Sequence, residues 1–295
     1  MASSSAALER LSGMFGKFVA RAPKGRFGSS GMGFMSAEDG GGIRNNGAFD
    51  PDSVRLRLPP WCLRRDGVPP LAALVALMDE ASSYAMALRD KRGRFGVSIL
   101  LQGSLLRRRE CPGEVVATTT VRKLGRTIGF ADVEVRCAET DAAIARGKHV
   151  KFLHVGNPLA DNAATLARLP GFESLFDAYV STLPLHAPTD AADVPELFGL
   201  RDNAAQVVPA LCNPWGSLHG GAACVLAEHV AQEGVALSLT ATFLSAIRSP
   251  DAAVVQATPR TDDPAVVHAL VSSARSGAPS VDVTLRYAAD SSSSS

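Results

Sequence analysis

Asn213-Pro214-Trp215-Gly216-Ser217-Leu218-His219-Gly220-Gly221-Ala222-Ala223-Cys224-Val225-Leu226-Ala227-Glu228 runs from a polar loop through a Gly-Gly pair into small apolar residues. The apolar run predicts a helix over 219–233. The first N–H groups of a helix have no partner within it and can face an oxygen of a bound molecule. Asn213, His219 and Gly220 stand at that start. An echo lies about half a chain earlier, Asp66-Gly67-Val68-Pro69-Pro70-Leu71-Ala72-Ala73-Leu74-Val75-Ala76-Leu77-Met78-Asp79. The echo keeps the helix and its acid but not the His-Gly-Gly.

Working outward, each half shows the same order of elements. The first predicts a helix near 7–22, a Gly-rich loop at 25–48, an extended stretch at Ser53–Leu58 and an apolar helix at 69–90. Strand-like runs follow at Phe95–Leu106, Glu114–Lys123, Thr127–Arg136 and Ile144–Leu153, with turn signals at Pro112-Gly113 and Gly125. The second predicts a helix near 170–182, an extended stretch at Gln206–Leu211 and the helix at 219–233. Its strand-like runs are Leu237–Ile247, Ala253–Pro259, Ala265–Ala274 and Val281–Tyr287. In the last, Val281, Val283, Leu285 and Tyr287 alternate with polar residues, as in a strand buried on one face. Both apolar helices are apolar over most of their circumference, which predicts burial. Ala72, Ala73, Ala76, Ala222, Ala223 and Cys224 are small enough for a curved sheet to approach closely. The expected fold is α+β, with two units side by side: an N-terminal domain over 1–155, a connector over 156–168, a C-terminal domain over 169–290 and a disordered Ser tail over 291–295.

Bulk properties narrow the function. The chain has 295 residues, 46% hydrophobic and 20% charged, which fits a globular protein of one large or two ordinary domains. A net charge of +1 offers no electrostatic case for nucleic acid or an anionic membrane. The longest uninterrupted apolar run, Leu71 to Met78, is too short to cross a bilayer, so no integral membrane segment is expected. Cys62, Cys111, Cys137, Cys212 and Cys224 are odd in number and scattered without a CxxC pair, pointing to a reduced intracellular setting without structural zinc or other metal. Leu8, Leu11, Phe15 and Phe18 share a helical face beside basic residues. That pattern suits a mitochondrial or plastid transit segment and equally a domain-leading helix. Phe172–Val180 resembles it in the second half, which favours the leading helix and a cytoplasmic protein.

Three features together resemble the hotdog-fold acyl-CoA thioesterases in a tandem arrangement. They are Asn213 to Gly221 with its helix, Leu77-Met78-Asp79 followed by Gly96-Val97-Ser98, and Val121–Val135 closed by Ala145–Phe152. The resemblance implies two hotdog domains, each an antiparallel sheet wrapped round a long central helix, paired as an intramolecular pseudo-dimer. It implies an acyl-CoA substrate, no cofactor, and an active site shared between the units; sheet-edge association would allow a homodimer of tandem units. Geometry favours a shared site too. Gly220 and Glu228 are eight positions apart, roughly 12 Å along one helix, whereas an oxyanion donor and a base acting on one carbonyl need contacts of about 3 Å.

The first composite site takes Asn213, His219 and Gly220 from the second half and Asp79 and Ser98 from the first. Asn213 would hold the thioester carbonyl or the helix-start loop, and the Gly220 N–H would stabilise the oxyanion. Asp79 would act as base on a water or as nucleophile, with Ser98 orienting it; His219 would shape the turn. The mirror site would need Arg64, Pro69-Pro70-Leu71, Glu228 and Ala236, and Pro70 has no N–H to give. Lys123, Gly125, Arg126, Thr127, Lys148, His149 and Lys151 are candidates for the CoA phosphates. Structural readings stand beside these: Asp79 as a cap or partner of a buried Arg, Gly220-Gly221 as a packing device against the sheet, the basic residues as a solvated edge. A non-catalytic acyl-CoA-binding scaffold and an enoyl or hydroxyacyl thioester hydratase are the alternative functions.

Overall fold

Alternation of buried and exposed residues builds one antiparallel sheet, with apolar side chains on its inner face. The computed structural model describes residues 35–36, 52–62, 67–107, 111, 113–156, 161–172, 174, 175, 178, 193–213, 216–231 and 234–288. The expected helices near 7–22 and 170–182 and the Ser tail lie largely or wholly outside these. The strands are β1 Met35–Ser36, β2 Ser53–Arg57, β3 Val97–Leu105, β4 Glu114–Leu124, β5 Ile128–Cys137, β6 Ala143–Phe152, β7 Ala204–Gln206, β8 Ala236–Phe243, β9 Ala252–Pro259, β10 Val266–Ser273 and β11 Pro279–Tyr287. The core helices are α1 Leu71–Arg89 and α2 Gly220–Ala231. Three expected boundaries move. β1, which pairs with β2, lies inside the predicted loop at 25–48. The stretch predicted as extended at 206–211 is the end of β7 followed by a 3-10 turn at Pro209–Leu211, where Pro209 has no N–H for a ladder. β8 stops at Phe243 because the Leu244 and Ser245 N–H groups both turn to the Ser280 carbonyl.

The sheet order is β1-β2-β4-β5-β6-β3-β8-β11-β10-β9-β7. From β2 inward to β3, and from β7 inward to β8, the two halves follow the same path. They join where β3 pairs antiparallel with β8, Gln102 opposite Thr240. α1 has length and composition enough for a membrane span, yet 83% of its apolar window is buried inside the fold, between the sheet and α2. A Cβ on Gly147 would fall 2.3 Å from the Met78 sulfur and one on Gly103 2.4 Å from Val75. These two glycines face each other across β3 and β6 and let α1 lie against the sheet. Gly221 does the corresponding work between helices: a Cβ there would stand 2.4 Å from that of Ala76. Gly221 therefore permits helix–helix contact, while a Cβ on Gly220 would lie 2.9 Å from both Asp79 on α1 and the Phe243 ring on β8, so the pair serves helix–helix and helix–sheet contact together.

Candidate active site at the start of the second core helix

Asp79 lies mid-way along α1 and is 3% exposed, an acid on a helix otherwise buried by apolar residues. A lone carboxylate there would be expensive to desolvate, so its partners define the site. Ser98 donates to Oδ1 at 2.9 Å. Ser98 reaches inward because β3 bulges between Ser98 and Leu100. Strict alternation from buried Leu101 would have put Ser98 on the outer face with Leu100 and Gln102; the extra residue re-aims it. His149 of β6 is fully buried, with Nε2 2.9 Å from Ser98 Oγ and 3.4 Å from Asp79 Oδ1. Its Nδ1 lies 2.6 Å from Ser82 Oγ. Lys151, two residues on, donates to Ser83 Oγ at 2.7 Å, and Ser83 donates to the Asp79 carbonyl at 2.6 Å.

The other carboxylate oxygen, Oδ2, faces the start of α2. It lies 3.6 Å from His219 Nδ1 and 2.9 Å from where a Cβ on Gly220 would sit. His219 Nε2 is 3.5 Å from Glu80, and its Nδ1 accepts the Gly221 N–H at 3.1 Å. The Ala223 N–H donates to the His219 carbonyl. Among the described residues the Gly220 N–H has no hydrogen-bond partner. Asn213 holds the preceding loop: its amide donates to Ser217 Oγ at 2.8 Å and its oxygen accepts the Ser217 N–H at 3.2 Å.

Electrostatics follow from this crowding. Burial pushes the Asp79 carboxyl up, but His219, His149, Lys151 and the Ser98 hydroxyl together bring it below the ordinary value. Burial pushes His149 down to about 3 despite Asp79, so it is uncharged at neutral pH. Burial likewise lowers Lys151, against the pull of Asp79 and Glu80. For His219 burial works downward, yet Asp79 and Glu80 outweigh it and raise its affinity for a proton.

The structure thus gathers Asp79, Ser98, His219 and Gly220, with Asn213 holding the loop that leads to them. It scatters the seven residues read as CoA contacts. His149 and Lys151 are not on a basic edge but inside, in the Asp79 cluster, because they share the inner face of β6 with Ala145 and Gly147. Lys148 points the other way, into an outer-face groove of about 630 Å³. There Arg122 pairs with Asp132, and Arg136 and Arg146 with Glu134. Lys123 is near the end of β4, opposite Phe130, and Gly125, Arg126 and Thr127 form the β4–β5 turn. Its carbonyls at Gly125 and Arg126 are held by Arg94, itself paired with Asp90 at 2.7 Å, and the Gly125 N–H goes to the Ile128 carbonyl. The sequence reading gave His149 to the CoA phosphates rather than to the Asp79 cluster, and it missed Ser82 and Glu80. Period-two alternation along β6 is the signal that would have turned His149 inward.

The start of α1 is differently occupied. Pro70 precedes it without a side-chain cap, and Glu228 Oε2, from α2, accepts the Ala72 N–H at 2.5 Å. The helices run antiparallel, each acid at the other's first turn.

The Thioesterase superfamily profile matches residues 72–144, which include Asp79 and Ser98. Mouse acyl-coenzyme A thioesterase 13 is 33% identical over 81 residues, 28% of this chain and 56% of that protein; the human protein matches to the same extent. The chain therefore spans about half the length of the curated relatives it matches. Both halves are spanned by the structure of an acyl-ACP thioesterase from Bacteroides thetaiotaomicron, with a TM-score of 0.51 and 10% identity over 79% of this chain and 96% of that one. That likeness speaks for the fold alone. Residues 72–144 are therefore similar to the Thioesterase superfamily, and the antiparallel sheet packed on a buried helix is the hotdog-like fold of the acyl-ACP thioesterase.

Proposed function

We propose that the chain hydrolyses an acyl-CoA thioester to a free carboxylic acid and CoA, at one composite site between two tandem hotdog units that pair as an intramolecular pseudo-dimer. The observation that carries the reading is the meeting of Asp79, from the first half, with the open first turn of α2, from the second. A thioester carbonyl placed at that turn accepts the Gly220 N–H, and the positive end of the helix stabilises the oxyanion that forms. Asp79, kept ionised by its neighbours, takes a proton from an attacking water, or attacks the carbonyl itself to give a mixed anhydride that water then opens. Either route ends with the acyl C–S bond broken and CoA released as the thiolate. Ser98 orients the carboxylate, Asn213 fixes the loop, and His219 occupies the Gly221 N–H so that Gly220 offers its own.

The test is a hydrolysis screen over short, long and aromatic acyl-CoAs with a free-thiol readout. Asp79→Ala is expected to lower kcat by about 10²–10⁴-fold, the range of a lost general base. Acyl-CoA binding with no thiol release from any substrate would identify a scaffold instead. Hydration of an enoyl thioester abolished by Asp79→Ala would identify a hydratase.

A further inference from the structure

His219 Nδ1 faces two groups that make opposite demands on it. The Gly221 N–H donates to it at 3.1 Å, which requires a bare nitrogen. Asp79 Oδ2, 3.6 Å away, can bind it only through a proton. A backbone N–H is always a donor, so Nδ1 is the acceptor. A neutral imidazole has one N–H and one bare nitrogen, which puts the proton of the neutral ring on Nε2. Nε2 lies 3.5 Å from Glu80 Oε2. The ring is buried, so its N–H needs a partner within the protein, and Glu80 is that partner. Glu80 is itself held from behind. Tyr84, one turn further along α1, donates its hydroxyl to the Glu80 carboxylate, which can only accept. Burial and the Glu80 charge push the Tyr84 phenol well above its ordinary value, so the hydroxyl keeps the proton it donates.

We propose that Glu80 is a positioning residue: it accepts the His219 Nε2–H and holds the ring across the first turn of α2 with Nδ1 bare, which keeps the Gly221 N–H occupied and leaves Asp79 Oδ2 free to react. This rests on the thioester-hydrolase reading of the site. The opposite state follows from the same geometry. A proton on Nδ1 would face the Gly221 N–H donor to donor, and Asp79 Oδ2 would become its partner, tying down the oxygen that reacts. The charged and titratable groups facing His219 are Asp79 and Glu80 from α1 and Lys151 and His149 from β6. The two acids raise the pKa of His219 above the ordinary histidine value, while that of Asp79 is lowered. As pH falls, His219 therefore takes up its proton before Asp79 does, and activity falls through the pKa of His219.

The experiment follows the His219 ring of the full chain by ¹⁵N NMR beside pH–rate profiles, the ring signal being assigned by its loss in His219→Asn. On the high-pH plateau Nε2 is expected protonated and Nδ1 bare, and the acid limb of kcat/KM should coincide with the titration of the ring. Glu80→Gln still accepts the Nε2–H through its amide oxygen but carries no charge. The ring pKa and the acid limb are expected to move together to lower pH, since a neighbouring negative charge has been removed. Glu80→Leu leaves a buried N–H without an acceptor. Its plateau kcat should fall roughly tenfold, the effect of one hydrogen bond, and Glu80→Gln should keep more plateau activity than Glu80→Leu. If Glu80→Leu does not fold, the titration of Glu80→Gln decides. A plateau ring protonated on Nδ1 and bare on Nε2, activity that rises as the ring takes up its second proton, or a Glu80→Gln protein with ring titration and acid limb both unmoved overturns the proposal. A chain that hydrolyses no acyl-CoA overturns the thioesterase reading, while the ring titration in Glu80→Gln still decides whether Glu80 holds His219.

Discussion

α1 starts at Pro70-Leu71-Ala72 and α2 at His219-Gly220-Gly221, and each first turn meets a carboxylate eight positions into the opposite helix. At α1 that carboxylate is Glu228, and it bonds the Ala72 N–H. At α2 it is Asp79, and among the described residues no hydrogen bond joins it to the Gly220 N–H. One methylene accounts for part of the difference, since glutamate reaches farther than aspartate. Ser98 accounts for more: it ties Asp79 Oδ1 back toward β3. A helix start satisfied by its own protein's anion is a structural joint, whereas one whose anion is held back keeps a donor for a substrate.

Three substitutions bear on this contrast. Gly220→Ala would set a methyl 2.9 Å from Asp79 Oδ2 and from the Phe243 ring, in the place proposed for the carbonyl. A loss of kcat/KM of about 10²-fold or more is expected, with folding retained, comparable to losing an oxyanion donor; full activity would mean the reaction happens elsewhere. Gly221→Ala would drive its methyl into Ala76, and overpacking of this kind costs about 1–3 kcal/mol. Thermal and urea unfolding should register it, and an unchanged melt would mean the helices can part freely. Glu228→Ala is the smallest. Stability is expected to fall by about 1 kcal/mol, as the Ala72 N–H loses its acceptor while a buried carboxylate is also removed, and kcat should stay within about threefold. A collapse of kcat in a folded Glu228→Ala protein would make α1 a working site and erase the contrast.

How much of this was legible beforehand can be judged residue by residue. The buried core helices and the strands from 97 to 152 announce themselves through period and turn residues, because burial on one face forces alternation. Asp79 and Gly220 were paired by a distance argument along α2 together with the family resemblance. Ser98 contradicts its own strand period, and only the bulge explains how it turns inward. His149 and Lys151 look like a basic edge when read with Lys148, yet alternation sends those two to the inner face and Lys148 to the outer one.

By itself, the sequence determined which segments would be buried, that two similar halves follow one another, and that one helix start carries glycines where the other carries proline. Those are local properties, set by backbone freedom and side-chain polarity. Tertiary structure decided which carboxylate meets which helix start, that Ser98 faces the core, and that His149 stands uncharged behind it. Each of these depends on the β3 bulge, the β3–β8 seam and the antiparallel contact at Ala76 and Gly221. Such contacts join residues far apart in the chain, and no local preference encodes their geometry.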